Sequence, residues 1–165
     1  NRFYFVHPDG AVQHYDKKHL FTFGGEHKRF TAGTERVVVN FRGVRILLEV
    51  CYDLRFPVWS RNLGDYDMIL YVASWPTPRV DAWSALLRAR AIENQCYVAG
   101  VNRMGTDPAC EYSGGSAIID PYGKTIAECP WGRESAVSAD IDMEALQAFR
   151  KKFPVLDDAD PFTLI

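Results

Sequence analysis

Cys51 is the residue whose setting in the sequence most suggests chemistry. It follows the apolar run Val44-Arg45-Ile46-Leu47-Leu48-Glu49-Val50 and opens the segment Tyr52-Asp53-Leu54-Arg55-Phe56-Pro57. A thiol at the turn leaving a strand is presented clear of its neighbours, and the backbone N–H groups that follow can bind a developing oxyanion. Lys17, in Tyr15-Asp16-Lys17-Lys18-His19-Leu20-Phe21, is the second candidate. Glu26 stands in Gly24-Gly25-Glu26-His27-Lys28-Arg29-Phe30. Taken singly, each has an ordinary reading: a buried structural cysteine, a solvated lysine, a loop acid. Chain order alone specifies no Ser-His-Asp or Cys-His arrangement, and the same ordinary readings hold for His19, His27 and the other three cysteines.

The elements that must position these residues are legible in outline. Residues 2–6 and 11–15 read as a hairpin about His7-Pro8-Asp9-Gly10. A long polar connection, 16–35, follows, and a connection of that length inside a compact domain is usually either functional or mis-assigned. Strands are predicted at 36–41, 44–50, 68–73, 96–101, 116–119, 124–127 and 135–141, with a short helix over 56–63. The best helix runs over 80–94, with Asp81 as its cap and Ala82, Leu86, Ala89 and Ile92 as its buried stripe. A last helix covers 143–152, and the tail with Pro154 and Pro161 reads as extended. Hairpins mixed with strand–helix–strand units imply mixed sheets covered by helices, an α/β layered architecture.

Composition narrows the function. The 165 residues are 47% hydrophobic and 24% charged, which suits one globular unit and excludes a disordered or coiled-coil chain. A net charge of −2 gives no basic surplus for nucleic acid, and no apolar run approaches the roughly 20 residues of a membrane span. Cys51, Cys96, Cys110 and Cys129 form no C-x-x-C pair, so a zinc site is not expected. Their wide spacing favours a reducing compartment, the cytoplasm. The chain opens on Asn1 and runs straight into a strand, which suggests that something precedes it in the natural protein.

Together the motifs resemble the nitrilase superfamily of carbon–nitrogen hydrolases. The segment 15–21 is similar to that family's lysine motif, and 51–57 to its cysteine motif. Glu26 and Gly33 fall where the family has an additional glutamate and a glycine. The resemblance continues through Arg88-Ala89-Arg90-Ala91-Ile92-Glu93-Asn94-Gln95-Cys96-Tyr97-Val98 and from Gly115-Ser116 to Asp120. Within the superfamily, Ala73-Ser74-Trp75-Pro76 and Val101-Asn102-Arg103 look most like the bacterial omega-amidases.

The resemblance implies an αββα sandwich, two mixed β-sheets packed face to face with helices outside. Residues 1–165 would form a single carbon–nitrogen hydrolase domain lacking the N-terminal third. It implies Cys51 as nucleophile, Lys17 as thiol activator and oxyanion partner, Glu26 in a supporting role and the Tyr52 N–H as oxyanion donor. The family's first glutamate, the general base, lies upstream of the hairpin, and neither Glu26 nor Glu49 is assigned that role. For the substrate carboxylate Arg79 is the candidate, with Arg55 and Arg103 as competitors, and Trp75 as a pocket wall. Arg55 is also expected to brace the turn that carries Cys51. The implied activity is hydrolysis of 2-oxoglutaramate or 2-oxosuccinamate without metal or organic cofactor, by a homodimer. The alternatives are a deaminated-glutathione amidase or other small-amide hydrolase, and a non-catalytic fragment or assembly subunit.

Overall fold

The computed structural model describes residues 1–163. Ten strands and three helices follow in the order β1 (Arg2–Val6), β2 (Val12–Asp16), β3 (Val38–Phe41), β4 (Val44–Val50), α1 (Pro57–Ser60), β5 (Met68–Ala73), α2 (Val80–Glu93), β6 (Tyr97–Asn102), β7 (Met104–Thr106), β8 (Glu111–Ser113), β9 (Ala117–Ile119), β10 (Thr125–Glu128) and α3 (Met143–Lys152). Six strands form one mixed sheet in the order β10-β9-β6-β5-β4-β3. Its centre, β4-β5-β6, is parallel, with Leu48 opposite Leu70 and Leu70 opposite Ala99.

Both faces of that centre are covered, which is why β4 and β5 read as continuous apolar runs. On one face Ile46, Leu48 and Val50 pack with Val39 and Trp59 against Phe3 and Tyr15 of the β1–β2 hairpin. On the other, Leu47, Ile69, Tyr71 and Val98 pack against Trp83, Leu87 and Ala91 of α2. The close approach of α2 depends on Gly100 in β6, where a methyl group would lie 2.6 Å from Leu87 and 2.7 Å from Trp83. Helix α3 is tied to the start of β5 by Arg150, which bonds Asp67 Oδ1 (2.8 Å), Gln95 O (2.9 Å) and Tyr66 O (3.0 Å). The architecture is α/β with mixed strands. Among the described residues the second sheet consists of the two-stranded β1–β2 hairpin lying across the large sheet.

Several expectations change. The helix α2 begins after a 3-10 turn, Thr77–Arg79, with Arg79 at the cap, and Asp81 makes no capping bond. Its buried face is Trp83, Leu87, Arg90 and Ala91, whereas Ile92 is 51% exposed. The predicted stripe had the right period and lies one residue off the buried face, with Ala82 and Leu86 packed at its margin. Residues 135–141 form no strand, because the run pairs with no neighbour among the described residues. The helix expected over 56–63 is a single turn, α1. A small hairpin, β7–β8, was not anticipated. The tail contains a 3-10 turn, Val155–Asp158, and its last two residues lie outside the described range. Among the described residues no helix is long and apolar enough to cross a membrane.

Candidate active site

Parallel strands deliver their C-terminal ends to one edge of the sheet. Val50, Ala73 and Asn102 end β4, β5 and β6 there, where open α/β sheets characteristically carry ligand sites. Cys51 follows directly and starts the 3-10 turn Cys51–Arg55. Its φ is +47°, a left-handed conformation that costs a non-glycine residue about 1–2 kcal/mol. Such strain persists only where surrounding bonds hold it.

The main holding group is Asp53, which is fully buried. Its Oδ1 accepts from His19 N (2.8 Å) and His19 Nδ1 (2.9 Å), and its Oδ2 from Tyr15 Oη (2.9 Å) and Val50 N (3.1 Å). Tyr15 Oη in turn accepts from Lys18 N (3.1 Å) and Trp59 Nε1 (3.0 Å). The turn bearing the thiol is thereby bound to the segment bearing Lys17. Behind it, Arg90 Nη2 donates to Leu54 O at 2.6 Å. The bracing role expected of Arg55 belongs to Asp53 and Arg90, while Arg55 faces the pocket with its guanidinium 4.9 Å above the Trp75 ring.

Lys17 is only 2% exposed and ends in an ion pair, Nζ to Glu26 Oε2 at 2.6 Å. Glu26 also accepts from Phe21 N (2.6 Å) and Asn1 Nδ2 (2.7 Å). Burial pushes the Glu26 carboxyl up, but Lys17, the Phe21 amide and Asn1 more than offset it and leave its pKa lowered. An ionised carboxylate so fully occupied positions the lysine and is poorly suited to shuttle protons. The loop carrying Glu26 closes because Gly33 N donates to Lys17 O at 2.8 Å, and a methyl at Gly33 would collide with the Asp16 carbonyl oxygen. The long connection therefore serves to set these two charges.

Cys51, Lys17, Glu26, Tyr52, Arg55, Trp75 and Arg79 all line one pocket of about 440 Å³. Cys51 Sγ lies 3.8 Å from Ser74 O. Burial raises the thiol pKa above its ordinary value, against the opposing pull of Lys17 and the Ser74 contact. The Lys17 charge acts to lower it, as expected, while Glu26 shares that charge and acts the other way. The Tyr52 N–H belongs to the first turn, where amides have no partner within the turn. Trp75 is buried and fixed by Asn102, whose Oδ1 accepts from Trp75 N (2.7 Å) and whose Nδ2 donates to Trp75 O (2.9 Å). Its indole Nε1 donates to Arg79 O (2.7 Å). Arg103 is drawn elsewhere, to Asp107 at 3.6 Å and over the Tyr112 ring, and does not line the pocket.

Residues missed by the sequence reading are those that hold the reactive groups: Asp53, Tyr15, His19, Arg90 and Asn102. A signal existed for Asp53, an acid two residues from Cys51 inside an otherwise burial-prone segment. Among the described residues no group of three or more His, Cys, Asp and Glu side chains is placed to hold a metal ion.

Comparison with known proteins supplies the family. The carbon-nitrogen hydrolase family model matches residues 1–151. The chain is 55% identical over 165 residues to the omega-amidase YafV of Escherichia coli K12, covering 99% of this chain and 64% of that protein. It is 41% identical over 162 residues to the 2-oxoglutaramate amidase of Bacillus subtilis, covering 96% and 62%. A solved structure from Xanthomonas campestris, a CN-hydrolase superfamily protein with an arsenic adduct in its active site, superposes with a TM-score of 0.95 at 48% identity, over 99% of this chain and 65% of that one. The chain thus spans a little under two thirds of the length of these relatives. By motif, fold and sequence it belongs to the carbon–nitrogen hydrolase family.

Proposed function

We propose that this chain is a single hydrolase domain carrying the nucleophile, oxyanion donors and substrate-reading side of an omega-amidase. It acts on the terminal amide of a 2-oxo-dicarboxylic acid monoamide, 2-oxoglutaramate or 2-oxosuccinamate. The observation that carries this reading is the convergence, in one pocket, of the Cys51 thiol, the Lys17 ammonium and the guanidinium of Arg79, which has no carboxylate partner among the described residues. A planar guanidinium suits the far carboxylate of such a substrate.

In this mechanism the Cys51 sulfur attacks the amide carbon and the carbonyl electrons move to oxygen. Lys17 Nζ and the Tyr52 N–H stabilise that negative charge; removing one such donor typically costs about 10²–10³ in rate. The carbon–nitrogen bond breaks, the nitrogen takes a proton and leaves as ammonia, and Cys51 holds a thioester that water hydrolyses. In this reading a further carboxylate takes the thiol proton, since Glu26 is engaged with Lys17. The family resemblance assigns that base to sequence upstream of the hairpin. General acid–base help of this kind is worth roughly 10²–10⁴-fold.

The same reading makes the protein a cytoplasmic homodimer. Four free cysteines support the compartment. The exposed apolar side chains of Ile92, Tyr122 and Phe153, with Tyr122 packed 4.1 Å from Phe149, support pairing through this face. The test of function is ammonia release from 2-oxoglutaramate by the chain extended upstream to the length of its relatives, beside a Cys51→Ala control. Release abolished by the substitution is expected. A folded protein that releases no ammonia would reject the substrate and favour another small amide or a non-catalytic role.

A further inference from the structure

Glu49 is an interior acid that the mechanism above leaves unused. It stands two residues before Cys51 in β4 and is fully buried. Its charge state follows from the donors around it. Asp53, the other buried acid here, takes four hydrogen bonds. Glu49 takes one, from Ser60 Oγ to Oε2 at 2.9 Å, and among the described residues its Oε1 has no partner. The cation facing it from α2 is Arg90, which spends Nη1 on Glu93 and Nη2 on Leu54 O. Tyr71 of β5, Tyr66 and Cys96 just before β5 and β6, and Tyr15 of β2 also lie within reach of its charge, and burial keeps all four neutral. Of two buried carboxyls near one committed cation, the one with fewer donors keeps its proton.

Ser60 is the point at which this proton reaches the site. It ends α1, the single turn that follows the Cys51 turn, and it is fully buried. Its hydroxyl meets Glu49 and, at 3.2 Å, Tyr71 Oη, while its carbonyl accepts from Tyr66 Oη. The segment 51–60 is thus fastened near its start by Asp53, through Val50 N, and at its end by Ser60 on Glu49. Between these two fastenings lies the φ of +47° at Cys51. The element seated on Glu49 is thin, since α1 has four residues and Val58 within it is 53% exposed. A charge forming on Glu49 finds no further donor in the interior, so water must supply it, and lifting α1 is the opening that breaks least structure.

We infer that Glu49 is a positioning residue for Cys51: as the neutral acid it seats Ser60 and keeps the segment 51–60 closed, and as the carboxylate it admits water under α1 and lets the strained Cys51 turn relax. Burial first, and then the charge of Asp53, push the Glu49 carboxyl up to about 8, which sets the change just above neutral pH. The thiol is then held for chemistry below that pH and released from its place above it. The consequence for catalysis rests on the role proposed above for Cys51; the latch itself does not.

The test reads the backbone and the thiol separately. Amide hydrogen exchange is followed by peptide mass spectrometry at about pH 6.5 and about pH 9, each rate corrected for the intrinsic effect of pH, with the peptide over β5 as reference. Protection over 51–60 is expected to fall at least about tenfold between the two, while β5 stays protected. Glu49→Gln still accepts from Ser60 and cannot ionise, so its protection changes less than about twofold. Ser60→Ala, which leaves the carboxyl in place, lowers protection over 51–60 already at the lower pH. Alkylation of Cys51 by iodoacetamide across the same range shows an extra rise near pH 8 in the parent that Glu49→Gln lacks, and Cys110 shows it in neither. Equal protection over 51–60 at both pH values overturns the latch. So does a Glu49→Gln that loses protection as the parent does, or a β5 peptide that opens in step with 51–60. A step in exchange with no ammonia release from 2-oxoglutaramate would reject the omega-amidase reading and keep the latch; ammonia release with no step would do the reverse.

Discussion

Replacing Asp53 with Asn removes one charge and one acceptor from the point where the turn carrying Cys51 is fastened. The carboxylate takes four hydrogen bonds, two on each oxygen. An amide keeps one oxygen for two of the donors and turns an NH₂ group toward the other two. If the oxygen stays with His19, the NH₂ faces Val50 N and Tyr15 Oη, and neither can reverse its role. Val50 N is a donor only, and Tyr15 Oη already accepts from Lys18 N and Trp59 Nε1. Hydrogen bonds to a charged group are worth about 1.5–3 kcal/mol each, so the loss of two is on the order of 3–6 kcal/mol. That is a large share of the roughly 5–15 kcal/mol by which a domain is stable. Urea unfolding followed by tryptophan fluorescence should show the midpoint falling by more than about 1 M, for a slope of roughly 1–3 kcal/mol/M. In variant protein still folded in buffer, the alkylation rate of Cys51 should change while that of Cys110 does not. A stability loss under about 1 kcal/mol, with Cys51 unaltered, would refute the argument that this carboxylate holds the strained turn.

Two other perturbations follow from the same interior. Glu49 is fully buried on the α2 side of β4, accepts from Ser60 Oγ at 2.9 Å, and is pushed up to about 8, first by burial and then by the negative charge of Asp53. A carboxyl whose pKa is raised on folding binds its proton more tightly in the native state. Its contribution is therefore complete below the unfolded pKa of about 4.3 and is lost as pH rises toward 8. Glu49→Gln should flatten this decline between pH 5 and 8 in urea titrations; an unchanged slope would contradict it. Gly33→Ala forces a methyl against the Asp16 carbonyl, a backbone group that cannot swing aside. A cost of about 1–3 kcal/mol in thermal or urea unfolding is expected, and a variant as stable as the parent would show that the loop relocates freely.

The candidate residues were legible in the sequence because each lies in a short segment whose residue types define it. Cys51, Lys17, Glu26, Tyr52, Trp75 and Arg79 meet in one pocket. The parallel strands were equally plain, since burial on both faces writes them as unbroken apolar runs. What lay hidden was the polar scaffold. Arg90 occupies the buried face of α2 because Leu54 O and Glu93 satisfy it, beside Trp83 and Leu87, which the predicted stripe passed over. Asp53 and Glu49 are interior acids whose partners come from positions remote in sequence, Tyr15 and His19 for one, Ser60 for the other. The failed strand at 135–141 has the opposite cause: local pattern proposes a strand, but only a neighbour with free backbone groups completes one. Spacing likewise conveys the presence of Lys17 and Glu26 but not the 2.6 Å ion pair that joins them.

The central claim is that Cys51 carries the acyl group. It is tested most directly by incubating the protein with 2-oxoglutaramate, quenching in acid, and mapping the acyl adduct by peptide mass spectrometry. The account predicts a 2-oxoglutaryl thioester on Cys51, none on Cys96, Cys110 or Cys129, and none anywhere in Cys51→Ala. Ammonia released at an undiminished rate by Cys51→Ala, with no adduct on any cysteine of the parent, would contradict it.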